Sequence, residues 1–140
     1  MTAPIPRFVR QNLLLLLIGF CFLNHLPPAA GASAQVPVPS HWKDAQGSEV
    51  AFFTKDAKGA LTGKFVSHAP GFACANFPFD LSGRAHGHHV QFSVVWKNGL
   101  QDCKAQTSYT GSVAGKSLHV WWVTTSGGKK TRGADTFVAQ

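Results

Sequence analysis

Three histidines in the run His86-Gly87-His88-His89 are the residues of this chain best suited to bind a metal ion. Imidazole nitrogens are good ligands for zinc and for other divalent transition metals. However, adjacent side chains of a strand point to opposite faces, and no cysteine or carboxylate cluster accompanies these histidines in the sequence. We therefore expect a solvated hairpin turn here and no metal site.

The basic run Lys129-Lys130-Thr131-Arg132 is the feature best suited to bind a polyanion, in a chain whose formal net charge is +7. Small β-barrels bind single-stranded nucleic acid when aromatic side chains lie among such charges. The aromatic residues here fall on the predicted inner face and not beside the charges. Polyanion binding by a basic β-barrel stays an alternative function, and we expect no nucleic-acid partner.

Hydroxyl side chains occur in phase with the apolar residues of several predicted strands: Ser67, Thr107 and Thr124. Burying hydroxyls in a filled core is unfavourable unless they find hydrogen-bond partners. Bonds to neighbouring backbone are an open alternative for each one. Three hydroxyl residues in phase with the apolar ones, together with several tryptophans, favour a cavity that takes a small molecule.

No Ser/His/Asp set, carboxylate pair or cysteine nucleophile is visible in one register, so we expect a protein that is not an enzyme.

Apolar residues alternate with a period of two along much of the chain, and no ten-residue stretch after residue 40 repeats the apolar spacing of a helix. Strands are predicted at residues 48–54, 60–67, 77–83, 89–96, 104–112, 118–125 and 135–139, with a short one around Trp42. Short connections such as Asn98-Gly99 separate them. The pattern predicts an all-β fold, an eight-stranded antiparallel up-and-down β-barrel, because closure leaves no unpaired edge.

The first 34 residues have the outline of a secretory signal peptide. Arg7 and Arg10 precede an apolar run at 13–23, and small residues follow at 30–34. The apolar run is shorter than the roughly 20 residues that a membrane-spanning helix needs. We therefore predict cleavage after Ala34, a secreted or periplasmic location, and no membrane association of the mature protein.

Residues 35–40 form an extended leader that we expect to be flexible and poorly ordered, and residues 41–140 form the barrel. Cys21 leaves with the signal peptide, so the mature chain keeps Cys74 and Cys103. Two cysteines in an oxidising compartment most simply form one structural disulfide.

Five segments, in order along the chain, resemble the avidin and streptavidin family, whose up-and-down barrel and tight biotin binding serve as standard examples. They are residues 42–48 (WKDAQGS), 59–65 (GALTGKF), 81–84 (LSGR), 92–98 (FSVVWKN) and 135–137 (DTF). The resemblance extends over nearly the whole domain. It implies that the protein binds biotin noncovalently inside the barrel and sequesters it, with no other cofactor.

The surroundings of the cysteines are similar to those of bacterial avidins that carry one intrachain disulfide and often form dimers. This resemblance implies that the Cys74–Cys103 bond ties the loop after the third strand to the end of the fifth strand. That loop covers the pocket in relatives. Tetrameric relatives also lend a neighbouring subunit a tryptophan from the loop before the last strand, and residues 127–133 contain none. The resemblance therefore implies a homodimer, or another assembly without that exchange.

The resemblance assigns a role to each residue of the biotin site. Trp96 and Trp122 form its aromatic walls, and Tyr109 stands where a further tryptophan is usual. The remaining matches are hydrogen-bonding groups: Ser67 and Asp135 accept the ureido N–H groups, Thr107 approaches the ring sulfur, and Ser48 donates to the ureido oxygen.

Three further positions, besides Tyr109, depart from the family pattern. Asp44 replaces an asparagine and Phe65 a tyrosine, so two donors to the ureido oxygen are altered, and Ala105 lacks a hydroxyl that relatives use toward the carboxylate tail. Each lost donor should weaken binding by about 1–3 kcal/mol, which predicts an affinity below the family's best. A protonated Asp44 would donate instead, and binding would then tighten as the pH falls; alternatively, its carboxylate pairs with Lys43 or another cation. An avidin-like barrel for a different small ligand is the alternative function.

Overall fold

The computed structural model describes residues 35–140, so the predicted signal peptide at residues 1–34 lies outside the described residues. Residues 35–140 form one closed barrel whose strands are hydrogen-bonded in sequence order. Every neighbouring pair is antiparallel, and the first strand also pairs with the last. The predicted eight-stranded up-and-down β-barrel is confirmed. Among these residues, no helix has the length and apolar character needed to cross a bilayer.

The strands are β1 (Ser40–Lys43), β2 (Glu49–Lys55), β3 (Ala60–Val66), β4 (Pro78–His86), β5 (His89–Lys97), β6 (Asp102–Ala114), β7 (Ser117–Ser126) and β8 (Lys129–Ala139). Most boundaries lie within three residues of the prediction. The exception is β8, which begins six residues before the predicted Asp135. Gly127 and Gly128 both adopt positive φ and form a two-residue turn, so the basic run continues directly as a strand instead of a loop.

Side chains alternate between the two faces of each strand, as the period of two predicted. On β5 the inward-facing series Val90, Phe92, Val94 and Trp96 is buried, whereas the residues between them are exposed or half-buried. On β7 the neighbouring tryptophans separate: Trp122 lies inside the barrel and Trp121 is 65% exposed on the outside. The core therefore lies within the barrel, as expected from the alternation.

The leader at residues 35–40 departs from the prediction of a flexible segment. Val36 is buried in the core, and its backbone N–H donates to the carbonyl of Gly87 at 3.0 Å. Gly87 lies in the β4–β5 turn, and Ser40 already belongs to β1. Because Val36 covers apolar side chains at the end of the barrel that carries this turn, the leader is part of the fold and not a mobile extension.

The disulfide forms between Cys74 and Cys103, whose Cα atoms lie 6.1 Å apart. Cys74 is buried in the β3–β4 loop. Cys103 is the second residue of β6, and not the end of the fifth strand as predicted. The bond therefore ties the β3–β4 loop to the neighbouring wall of the barrel.

Candidate ligand pocket

The connections β1–β2, β3–β4, β5–β6 and β7–β8 meet at one end of the barrel, and a cavity of about 380 Å³ opens there. This volume is within the range of small-molecule sites. The structure brings all nine predicted site residues together around this cavity: Asp44, Ser48, Phe65, Ser67, Trp96, Thr107, Tyr109, Trp122 and Asp135. Six further residues line it: Gln46, Ala69, Pro70, Phe72, Thr124 and Thr131.

Aromatic rings build the wall of the pocket because they occupy inward positions of β3, β5 and β6. Phe65 stacks on Tyr109 with a centroid distance of 5.1 Å, and Trp96 meets Phe65 edge-on at 5.6 Å. Phe72, from the β3–β4 loop, packs edge-on against Trp96 at 4.8 Å. Edge-on and offset contacts of this kind are favourable for aromatic pairs. The result is a largely aromatic wall for the cavity.

Thr107 fixes the orientation of Trp96 through a buried hydrogen bond. The indole Nε1–H of Trp96 donates to Thr107 Oγ1 at 2.8 Å, and Thr107 Oγ1 lies 2.6 Å from Thr124 Oγ1. A hydroxyl has one donor and two acceptor sites. When Thr124 donates to Thr107, the Thr107 O–H stays free to face a ligand.

The two serines hold the β3–β4 loop while keeping hydrogen-bonding capacity for the cavity. Ser48 Oγ accepts the backbone N–H of His68 at 3.0 Å, and Ser67 Oγ accepts that of Ala69 at 3.2 Å. Both side chains are buried. Each accepts one bond from the backbone, so its O–H and a second lone pair are left for a ligand.

Asp44 shapes the β1–β2 loop instead of pairing with a cation. Its Oδ1 accepts the backbone N–H groups of Gln46 at 2.9 Å and of Ser48 at 2.7 Å, which makes an Asx turn. The suggested Lys43–Asp44 pair is wrong, since Lys43 Nζ donates to Glu49 Oε1 at 3.3 Å. Adjacent residues at a strand end point to opposite faces, so Lys43 reaches the outside while Asp44 lines the cavity.

Asp135 is the second carboxyl group at the cavity. Burial raises the pKa of Asp135 above its ordinary value; the Trp122 indole N–H acts in the opposite direction, and the nearby charge of Asp44 adds to the rise. The Trp122 Nε1 is buried and completes no hydrogen bond with any residue between 35 and 140. Burial also raises the pKa of the Tyr109 phenol, which is therefore neutral at ordinary pH. The pocket thus presents an acidic acceptor beside an indole donor without a partner.

The sequence reasoning missed five residues that line the pocket: Gln46, Ala69, Pro70, Phe72 and Thr131. Thr131 lies directly opposite Thr124 across β7 and β8. The Gly127-Gly128 turn signal, applied strictly, would have started β8 early enough to place Thr131 on the inner face. Phe72 had no comparable signal, because it reaches the pocket from an irregular loop.

The histidines lie away from the cavity, whereas the basic run passes its open end with Thr131 facing inward. His86 pairs with His89 across the β4–β5 hairpin, at the opposite end of the barrel, and the rings of His88 and His89 are 4.0 Å apart. Between residues 35 and 140, no three His, Cys, Asp or Glu side chains group together as metal ligands. Lys130 and Arg132 alternate with the inward-facing Thr131 and therefore lie on the outside of β8.

Sequence comparison shows which known proteins this chain is similar to. The model of the avidin family matches residues 32–139. Afifavidin from Afifella pfennigii is 32% identical over 108 residues, which are 71% of this chain and 67% of that protein. Hoefavidin from Hoeflea phototrophica is 30% identical over 79 residues, 51% of this chain and 48% of that protein.

Solved structures give the same result. Apo shwanavidin matches with a TM-score of 0.71 and 28% identity over 76% of this chain and 98% of that one. A rhizavidin–biotin complex matches with a TM-score of 0.69 and 29% identity over 74% and 92%. A complex of short afifavidin with biotin matches with a TM-score of 0.67 and 32% identity over 75% and 91%. Since both the family model and the solved structures cover most of the chain, this protein belongs to the avidin family.

Proposed function

We propose that the protein binds biotin noncovalently in the barrel cavity, performs no chemistry on it, and acts by sequestering the free vitamin. The observation that carries the proposal is the meeting of aromatic side chains with hydroxyl and carboxyl groups around one cavity. Rhizavidin and short afifavidin, which this chain resembles, have been solved with biotin bound.

The bicyclic head of biotin lies between Trp96 and Trp122 in this proposal. Its two ureido N–H groups donate to Ser67 Oγ and to the carboxylate of Asp135. Both side chains line the cavity, and Ser67 keeps a lone pair after accepting the Ala69 N–H. Charge-assisted acceptance by Asp135 is the strongest single polar contact expected.

Two further groups complete the recognition of the head. Ser48 donates its free O–H to the ureido oxygen, since its Oγ is used by the backbone only as an acceptor. Thr107 presents its O–H to the ring sulfur when Thr124 donates to it. Thr124 is therefore a positioning residue that orients the Thr107 hydroxyl.

We expect an affinity below that of the tightest avidins. Phe65 lines the cavity and has no hydroxyl to donate, and the Asp44 oxygen that is bonded accepts two backbone N–H groups. The ureido oxygen then loses two of three donors. About 1–3 kcal/mol per lost donor corresponds to roughly 5- to 150-fold in the dissociation constant for each one.

We propose further that the mature protein is exported and forms a homodimer. Export is supported by the signal-like outline of residues 1–34 and by the Cys74–Cys103 disulfide, since structural disulfides form and persist mainly in oxidising compartments. The dimer is supported by the two-residue β7–β8 turn, which carries no tryptophan to insert into a neighbour.

Calorimetric titration with biotin at neutral pH tests the proposal. The sample is the oxidised mature protein, whose first residue is Gln35. The expected result is saturation at one biotin per chain. Desthiobiotin, which lacks the sulfur, is the matched probe of the Thr107 contact and should bind more weakly. No heat and no thermal stabilisation by biotin would contradict biotin binding and favour a different small ligand.

A further inference from the structure

At the open end of the barrel, three cross-strand partners lie beyond the residues assigned to the biotin head. Ala105 on β6 pairs with Ser126 on β7, and Ser126 pairs with Lys129 on β8. The parallel row two residues deeper lines the cavity: Thr107, Thr124 and Thr131. Residues two apart on a strand share a face. The outer three, which we call the rim row, therefore lie on the pocket face where the cavity meets solvent.

Lys129 is the charged member of the rim row, and its charge is not neutralised by a neighbour. Lys97 and Lys104, in the β5–β6 region at the same end of the barrel, share Asp102 as an ion-pair partner at 3.4 and 2.7 Å. The ion pairs found within residues 35–140 do not include Lys129. Lys129 is therefore available to pair with an anion that arrives from outside.

The charges of the pocket and its rim have opposite signs. Asp44 and Asp135 place acidic groups at the inner part of the cavity, and Lys129 places a cation at its mouth. A ligand with a neutral, hydrogen-bonding head and an anionic tail is oriented by this arrangement with its tail outward. Within the rim row, Ser126 adds a hydroxyl donor, whereas the Ala105 side chain has none.

We infer that Lys129 determines specificity for ligands that carry a carboxylate on the end that leaves the pocket, by forming an ion pair at the rim. The inference rests on the proposed function and assigns this carboxylate to the valerate tail of biotin. Lys129 takes over a task for which Ala105 has no hydroxyl. Because Lys129 is exposed, its contribution should be modest, of the order of a two- to fivefold change in affinity.

Equilibrium competition against radiolabelled biotin, with biotin and its neutral methyl ester as competitors, tests the inference at low and high ionic strength. The variant is Lys129→Gln, and the matched control is Lys130→Gln, which removes the same charge from the outer face one residue away. Lys129→Arg serves as the conservative variant, and thermal melting checks that each variant is folded.

In Lys129→Gln we expect biotin to bind about two- to fivefold more weakly while the ester is unaffected, so that the preference for biotin shrinks and loses its salt dependence. Lys130→Gln and Lys129→Arg should keep the preference. Equal losses of biotin affinity in both glutamine variants, or equal weakening of biotin and ester binding in Lys129→Gln, would overturn this inference and leave the proposed function intact. If the unaltered protein binds neither compound, the proposed function fails as well, which is a different and recognisable result.

Discussion

Asp44 has two roles, in the β1–β2 loop and in the cavity, and the two roles favour different side chains. Its carboxylate closes the β1–β2 loop by accepting two backbone N–H groups, yet it also lines a cavity in which a proton donor is wanted. An asparagine would keep the accepting oxygen and add an N–H₂ donor. The negative charge of Asp44 also raises the pKa of Asp135, the group expected to bind the ligand.

Asp44→Asn should therefore tighten biotin binding, by about tenfold, because it supplies a donor and relieves repulsion from Asp135. Competition titration against the unaltered protein measures the change. Asp56→Asn is a matched control, since Asp56 Oδ1 makes the same kind of turn with Lys58 N at 2.9 Å and Ala60 N at 2.8 Å at the other end of the barrel. Equal effects in both variants would show that the mapping of Asp44 is incorrect.

The raised pKa of Asp135 gives biotin binding a predictable pH dependence. Because an ionised carboxylate accepts the ligand N–H more strongly than a neutral carboxyl group does, affinity should fall as the pH is lowered through this raised pKa. Calorimetry at neutral pH and at acidic pH measures this loss of affinity. Asp135→Ala should weaken binding about 10- to 100-fold and remove the acid-side loss.

The same shift has a consequence for the unliganded fold. A carboxyl group with a raised pKa holds its proton more tightly when folded, so its contribution to stability is present below the unfolded pKa of about 3.9 and is lost as the pH rises through the folded value. Asp135→Asn should therefore raise the melting temperature of the free protein at neutral pH while impairing biotin binding. A lower melting temperature would contradict burial as the main cause of the shift.

At the level of elements, the β7–β8 hairpin positions Trp122 through a glycine on the opposite strand. Gly133 is the cross-strand partner of Trp122, and a Cβ at that position would lie 2.4 Å from Trp122 Cζ2 and 2.8 Å from Cε2. Such contacts are far inside van der Waals separation, so the indole can lie over β8 only because Gly133 has no side chain.

Gly133→Ala should displace the Trp122 ring and weaken biotin binding about tenfold or more, with a smaller effect on folding because the ring is half-buried at the pocket. Titration with biotin measures the loss of affinity, and the change in tryptophan fluorescence on binding reports the displacement of the Trp122 ring. Gly99→Ala is the control, since a Cβ there meets nothing within 4 Å. Unchanged binding in Gly133→Ala would mean that the Trp122 wall does not contact the ligand.

For the whole molecule, the outer surface carries a candidate dimer contact on β7. Trp121 is 65% exposed and Val123 is 37% exposed on the same face. The cross-strand partners of Trp121 are the small residues Thr110 and Ala134. An exposed tryptophan with small neighbours presents a flat apolar surface of the kind that oligomer interfaces use.

Trp121→Glu should convert the expected dimer to a monomer, because a carboxylate placed in an apolar interface remains unpaired. Light scattering after size-exclusion chromatography gives the mass. Phe53→Glu is the matched control: Phe53 is an outer-face residue of β2 with 52% exposure, and its loss should leave the dimer intact. A monomeric unaltered protein, or a dimer in both variants, would contradict this assignment.

Local alternation was sufficient to predict the barrel and the inward direction of most pocket residues. Ser67, Thr107 and Trp122 each lie in a run whose period of two is set by the geometry of a strand, so their face can be counted from the sequence. The resemblance to avidins then assigned their roles. The nine predicted residues meet at one cavity because closure of the barrel brings the same ends of alternate strands together.

Only the tertiary structure decided the features that depend on contacts between distant or irregular segments. The burial of Val36 requires the β4–β5 turn beneath it, the Asp44 carboxylate finds its partners in a loop conformation, and Phe72 reaches Trp96 from a loop held by the disulfide. None of these contacts repeats along the chain as the alternation of a strand does. They depend on which distant segments the fold brings together, and the order of residues within a single strand does not encode that.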